Sequence, residues 1–335
     1  KMNISDTAPD GTLPDTVKYS FYIGAAVYVA AISYTVFTTK EYSPEEMKSF
    51  GVLDDASTGK NIKTGWNSFL NKGLVWLVIG AVLSAALFYY NSNTDNKLEK
   101  ELYVLSFGIA AYGLLQIVAA LFRKSNSDNG LVEVMDDLNY LPETMKKLAV
   151  VQFFSWFALF SMWIYSTPAL AQHLSNTTDT SSKEYNKIGD WVGVMFACYN
   201  GFAALFAFLL PVMSKKLSRP KTHMIALIAG GLGLISYYIF KNEYLLIISM
   251  AGVGLAWSSI LSMPYSILTQ TLPSHKMGVY MGIFNFFIVI PQILAATLLG
   301  FFTKHLFGDQ AILSIVLGGC SMIVAAFLCL RIKEK

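Results

Sequence analysis

Long apolar blocks alternate with short polar stretches along the whole chain. About nine blocks contain roughly 20 mostly apolar residues, the length that a helix needs to cross the hydrocarbon core of a bilayer. We predict them at residues 17–38, 72–90, 98–122, 149–170, 188–211, 222–240, 244–270, 278–302 and 310–330. Lipid offers backbone N–H and C=O groups no partner, so each block must be helical. The pattern therefore predicts an all-α fold, a polytopic transmembrane helical bundle.

The polar connections indicate the orientation. An odd number of spans places the two chain ends on opposite sides, and Lys and Arg accumulate in cytoplasmic loops. Most of the 25 Lys and Arg residues fall in one alternating set of connections, which includes Lys146, Lys215 and Lys216. We therefore predict a multi-pass protein of the cell (inner) membrane, with residue 1 external and the carboxy-terminus cytoplasmic.

The grouping of the spans predicts the domain organisation. We expect an external segment with one span (1–38), a cytoplasmic loop (39–71), an inserted transmembrane hairpin (72–122), a cytoplasmic amphipathic linker (123–148) and six closely spaced spans (149–335). Six consecutive spans are typical of one half of a secondary transporter, whose substrate is bound near mid-bilayer where two repeats meet. The first span would then end the amino-terminal half, and the sequence would begin within a longer protein.

Two polar connections have helical patterns of their own. Ser43 to Glu46 has capping-box spacing, and Gly51 follows as a stop, which predicts a short helix. In the linker, apolar residues recur at helical spacing from Leu131 to Leu141, and Pro142 ends the pattern. This predicts an amphipathic helix along the membrane interface, although a solvated connector is an open alternative.

Composition and charge narrow the function classes. The chain is 54% hydrophobic and 14% charged, and its net charge of +3 is not gathered on a basic face, so no nucleic acid is expected as a partner. The three cysteines lie in apolar runs without paired spacing, and no His lies deep in a predicted span. No metal site, cofactor motif or hydrolase motif is visible, so we predict no enzyme. Asp190, at the predicted outer start of a span, is interpreted as complementing the helix dipole rather than relaying protons.

Uncharged polar and aromatic residues lie near the middle of several spans. Such groups bind a neutral, polyhydroxylated ligand through hydrogen bonds and ring stacking. The predicted substrate-binding residues are Gln152, Trp156, Trp163, Tyr199, Asn200, Trp257, Tyr265, Asn285 and Gln292. We expect a kink at Pro264 and a break at Pro291 to free backbone carbonyls nearby. The alternative is that the amides join helices and the Trp residues pack against lipid or at an interface. For Gly231 and Gly319 we predict a role in close helix packing rather than in ligand binding.

One stretch carries a specific resemblance. The run from Met281 to Gln292 resembles the penultimate span of the sucrose-transporter branch of the glycoside-pentoside-hexuronide:cation symporters, within the major facilitator superfamily. Further similar segments are Ser262–Tyr265, Leu306–Gly308, Ser155–Phe157, Tyr185–Asn186, Trp191–Gly193 and, weakly, Thr38–Tyr42. The basic segment 211–221 is similar to a degraded inter-helix loop of that superfamily. The resemblance covers about residues 149–330.

The resemblance implies a twelve-helix fold, alternating access and proton-coupled uptake of a disaccharide or related glycoside. Its implied partners are a sugar, a coupling cation and the lipid bilayer. Two departures matter: Trp163 to Ser166 stand where the plant carriers have acidic residues, and the family's main proton-coupling acid and substrate-binding arginine lie in the first half, which this chain is expected to lack. The inserted hairpin is also unusual for the family and would bring the whole protein to about fourteen spans. Two alternatives therefore stay open, a fourteen-span exporter of amphipathic compounds and a non-transporting scaffold or inactive fragment.

Overall fold

A computed structural model describes residues 15–40, 46, 63–94, 97–127, 129–272 and 276–332. Within these ranges the regular structure is helical, without a strand. The helices are α1 (Asp15–Thr38), α2 (Trp66–Asn93), α3 (Leu102–Lys124), α4 (Gly130–Asn139), α5 (Glu143–Ser175), α6 (Lys183–Leu217), α7 (Arg219–Ile239), α8 (Leu246–Leu268), α9 (Met277–His305) and α10 (Ala311–Leu328). In the described part of the chain, nine of them are long and apolar enough to cross a membrane, which confirms the predicted all-α, multi-pass fold.

The helices extend beyond the apolar blocks that predicted them. α5 begins at Glu143 rather than at residue 149, and α6 begins at Lys183 rather than at 188. A polar residue caps the extension of α6, since the Ser182 side chain accepts a hydrogen bond from the Tyr185 N–H, whereas α5 begins after Pro142 without a side-chain cap. The longer α6 corrects the interpretation of Asp190, which lies two turns inside the helix. The dipole acts mainly over the first turn, where Glu184 is the acidic residue.

Two compact units divide the chain, residues 1–56 and 57–335. The first contains α1, none of whose described residues is buried. In the second, α5 packs against α9 and α10, α7 packs against α8 and α10, and α6 packs against α8.

Close backbone contact holds α7 and α10 together. A Cβ atom on Gly231 would lie 2.8 Å from the Gly319 carbonyl oxygen, and a Cβ atom on Gly319 would lie 2.7 Å from the Gly231 oxygen. Only glycine permits this approach without a shift of the backbone. The predicted packing role of these two residues is confirmed.

The segment predicted to be an insertion forms an antiparallel hairpin of α2 and α3. Gly73 and Gly113 face each other, because a Cβ atom on either would lie within 2.8 Å of the other's carbonyl oxygen. The Asn91 side chain closes the turn by accepting a hydrogen bond from the Leu98 N–H at 2.8 Å and donating one to the Leu98 oxygen at 3.2 Å.

The amphipathic helix predicted in the linker is α4. The Asn129 side chain caps it by accepting a hydrogen bond from the Val132 N–H at 3.0 Å. Val132 and Met135 are buried against Phe69 and neighbouring residues of the hairpin. The predicted helix near Ser43 lies outside the described residues, apart from Glu46.

Two proline predictions meet continuous helices. α9 runs through Pro291 without interruption, so the expected break there is wrong. α8 also continues through Pro264, and the kink expected there stays a prediction. A proline removes a single intrahelical hydrogen bond, and the remaining bonds with the packing of neighbouring helices are enough to keep a transmembrane helix continuous. The unbonded carbonyl one turn earlier stays a prediction.

Candidate functional site

Four of the predicted aromatic residues form one cluster across three helices. Trp156 and Trp163 of α5 lie with ring centroids 6.2 Å apart, and the Trp257 ring of α8 lies 5.7 Å from each of them. Tyr199 of α6 is 6.5 Å from Trp257. All these contacts are edge-to-face, the arrangement that ring quadrupoles favour. We call Trp156, Trp163, Tyr199 and Trp257 the aromatic cluster.

The spacing of the sequence builds the cluster. Trp156 and Trp163 are seven residues apart, which places them on one face of α5 two turns from each other. On α8, Gly254 precedes Trp257 by almost one turn and lies against α6. A Cβ atom on Gly254 would be 2.7 Å from the Tyr199 oxygen, so the glycine lets the two helices approach and brings Trp257 to Tyr199.

Polar groups around the cluster are only partly satisfied. Trp163 donates its indole N–H to the Tyr199 hydroxyl at 3.2 Å. The Trp156 indole N–H is buried and has no partner among the described residues. One turn earlier, Gln152 is fully buried, and neither atom of its amide has a partner there either. Leaving such a group unsatisfied costs about 1–3 kcal/mol, so the face of α5 that carries both residues can offer hydrogen bonds to a ligand or water.

A second group of predicted residues lies on α8 and α9. Tyr265 donates its hydroxyl to the Asn285 side-chain oxygen at 3.5 Å, and its ring packs against Phe284 at 5.4 Å. Gln292 is half-buried two turns further along α9. In the described part of the chain, no hydrogen bond or ring contact joins this group to the aromatic cluster.

Asn200 does not join either group. Its side chain is exposed and donates to the Phe196 carbonyl oxygen of its own helix at 2.8 Å. Consecutive helical residues point about 100° apart, so Tyr199 and Asn200 cannot face the same surface.

An apolar groove separates parts of α5 and α9. It has a volume of about 260 Å³ and is lined by Ala149, Val150, Phe153, Phe287, Ile290 and Pro291. Its walls offer no hydrogen-bonding side chain, so it does not suit a sugar.

Sequence reasoning missed the burial of His223. At the start of the predicted span 222–240, it was not expected to lie deep in the bundle, but it is fully buried in α7, with Nδ1 2.8 Å from the Ser259 hydroxyl and Nε2 without a partner among the described residues. A signal was available, because His223 shares a helical stripe with Leu227, Gly230 and Leu234.

Ionisable side chains are scarce inside the described bundle. Asp137 and His223 are the only acidic or basic residues among those described that are buried, and neither belongs to the aromatic cluster. No group of three His, Cys, Asp or Glu residues within the described ranges could hold a metal ion. The side chains of the aromatic cluster are therefore uncharged.

Comparison with known proteins yields a family and two relatives. A family model described as the Major Facilitator Superfamily matches residues 148–335. The curated Proton-associated sugar transporter A of Mus musculus and that of Homo sapiens are each 24% identical to this chain over 179 residues. Each alignment covers 48% of this chain and 24% of the relative, so the chain matches about a quarter of the relatives' length.

Proposed function

Because the chain belongs to the Major Facilitator Superfamily, we propose that it works in the proton-coupled uptake of a sugar, a disaccharide or glycoside, by alternating access. Residues 149–335 would form the carboxy-terminal six-helix half, with 1–38 the end of the preceding half and 72–122 an insertion. The names of the two relatives and the resemblance to the sucrose-transporter branch support this proposal.

The aromatic cluster carries the proposal. A pyranose ring has an apolar face of C–H groups that packs on indole rings, while its edge carries hydroxyls that need hydrogen-bond partners. Trp163 and Trp257 are partly exposed and can supply the ring surface. The unsatisfied Trp156 N–H lies beside them, and the unsatisfied Gln152 amide lies one turn away on α5; both can supply partners once the side chains move to admit a ligand.

Asn285 and Gln292 would bind a second part of the solute. They are seven residues apart on α9, which separates them by about 10 Å along one helix face. A disaccharide can bridge that distance. Asn285 is exposed, and its contact with Tyr265 is long at 3.5 Å, so its amide can exchange that partner for a hydroxyl.

The coupling proton would be held away from these residues. The aromatic cluster, Gln152, Asn285 and Gln292 contain no carboxyl, imidazole or amino side chain. The resemblance implies that the main coupling acid would lie in the preceding half, and a site of neutral side chains here supports that proposal.

One observation favours the second candidate, a fourteen-span exporter of amphipathic compounds. The α2–α3 hairpin adds two membrane helices to the six-helix half, and the groove between α5 and α9 is apolar. An amphipathic molecule could occupy such a groove, whereas a sugar could not.

Transport by the protein expressed from its complete gene separates the candidates. In proteoliposomes with an inward proton gradient, we expect labelled sucrose or maltose to accumulate and an uncoupler to abolish the accumulation. Export of a fluorescent amphipathic cation without sugar uptake would favour the exporter. Transport of neither compound class by folded protein would contradict both candidates and favour a scaffold.

A further inference from the structure

α9 is tied to the inserted segment at both of its ends. At its start, the Lys276 ammonium lies 3.0 and 3.1 Å from the two carboxylate oxygens of Asp137 and 3.3 Å from Glu133, both on α4. One turn later, Tyr280 donates its hydroxyl to Asp137 at 3.3 Å. At the far end, Lys304 lies 3.4 Å from Glu99 in the α2–α3 connection.

α4 is in turn fixed to the hairpin. Asp136 pairs with Arg123 of α3 and accepts the Thr64 backbone N–H at 2.8 Å. On α2, Lys72 donates to the Asn139 side chain at 2.6 Å. With the apolar contacts of Val132 and Met135, these bonds make α2, α3 and α4 one packed body, which contacts α9 through ion pairs at both ends of that helix.

Of the two ion pairs, the pair of Lys276 with Asp137 at the start of α9 is the stronger. The side chains of Asp137 and Lys276 are 9% and 19% exposed, whereas those of Glu99 and Lys304 are 36% and 49% exposed. Burial disfavours the charged Lys276, but hydrogen bonds and attraction to Asp137 and Glu133 outweigh it and raise the pKa of Lys276. Removing one partner of a buried pair leaves an uncompensated charge, while an exposed pair contributes little.

The contact of α9 with α5 is only partly close. The two helices pack around the buried side chains of Phe157, Ala295 and Leu299, but elsewhere the apolar groove separates them, whereas α7 and α10 meet through glycines in direct backbone contact. α9 also carries Asn285 and Gln292, so any shift of this helix moves proposed binding residues.

We propose that α2, α3 and α4 form a brace that restrains α9 and thereby limits the rate of the conformational change in transport. This role rests on the proposed function in so far as it concerns transport. These three helices would then slow transport by restraining one helix of the proposed binding site, and we call this effect the brake.

The test compares Asp137→Asn with Glu143→Gln in the protein expressed from its complete gene. Glu143 pairs with Lys147 inside α5 at 3.8 Å, so its variant removes an acid without touching α9. Spin labels at Tyr140 and Gly278 report the distance between α4 and α9, after alanine replaces the three cysteines. Both positions are exposed, and a Cβ atom on Gly278 meets nothing within 4 Å.

We expect Asp137→Asn to broaden the distance distribution and to speed amide hydrogen exchange in the first turns of α9 by roughly fivefold or more, with Glu143→Gln unchanged. Sugar turnover should rise with it. An unchanged distribution would overturn the brace, and faster exchange with unchanged turnover would overturn the brake.

A second variant tests the proposal in case Asp137→Asn folds poorly. Glu99→Gln removes the exposed pair at the other end of α9, so it should fold and should speed amide exchange in the last turns of α9; no effect there would contradict a restraint at both ends of that helix. If no sugar is transported, the proposed function fails, while the distance and exchange measurements still decide the brace.

Discussion

Gln292 is the residue for which the two interpretations of the polar side chains, solute binding and the joining of helices, differ most. It forms no hydrogen bond with another helix among the described residues, which removes the main support for a role in joining helices. We expect Gln292→Leu, which keeps the bulk and deletes the amide, to weaken apparent sugar affinity by roughly tenfold, equivalent to about 1.4 kcal/mol. Uptake kinetics with surface expression as the control test this. Normal affinity at normal expression would show that the amide does not bind solute.

For Gln152, we expect one substitution to affect stability and sugar affinity in opposite directions. Its amide is buried without a partner among the described residues, so an apolar side chain of similar shape should be tolerated or favourable when no ligand is bound. Gln152→Met should therefore keep or raise the melting temperature of the empty protein while it weakens sugar affinity. Thermal unfolding with and without sugar measures both. Lower stability with unchanged affinity would identify Gln152 as a structural residue.

Particular residues also show where sequence reasoning ends. Helical spacing predicted that Trp156 and Trp163 share a face, and the structure brings both to Trp257. Asn200 was predicted in the site because it follows Tyr199 at the same depth, but depth in the membrane does not specify the direction in which a side chain points around the helix. The helical pattern of the linker places Asp137 opposite the apolar residues, and only the fold shows that it is buried beside Lys276, 139 residues away in the sequence.

At the scale of helices, glycine contacts give the sharpest prediction. Gly231→Ala should destabilise the protein by about 1–3 kcal/mol, since the new methyl group would meet the Gly319 carbonyl on α10. Gly201→Ala is the matched control, because a Cβ atom there meets nothing within 4 Å and alanine favours the helix. Unfolding in detergent measures both. Equal stability of the two variants would show that α7 and α10 are less closely packed than described.

Helix positions were the most predictable part of the fold. A span must be apolar over about 20 residues, so hydropathy alone located all nine membrane helices in the described chain. The ends were less predictable, since polar residues continue α5 and α6 into the interface. The course of α9 through Pro291 depends on neighbouring helices, which local sequence does not contain.

The whole molecule adds an orientation, proposed from the distribution of Lys and Arg. The α5–α6 connection with Asn176 should be external, and Lys215 and Lys216 should be cytoplasmic. Asn176 has left-handed backbone (φ 51°), so the neighbouring exposed Thr178 is the better position for a reporter cysteine. In intact cells, an impermeant thiol reagent should label Thr178→Cys and spare Lys215→Cys. The reverse pattern would invert the topology.

Recognition of a sugar by the aromatic cluster is the central claim, and equilibrium binding of a disaccharide to two tryptophan variants tests it most directly. Trp163→Phe removes the N–H that meets Tyr199 and part of the ring surface in the cluster. Trp191→Phe makes the same change outside it, where the indole donates to the Glu243 oxygen at 3.1 Å. We expect Trp163→Phe to weaken binding about tenfold, equivalent to ~1.4 kcal/mol, and Trp191→Phe to leave it within about twofold. Equal affinities in two folded variants would contradict the claim.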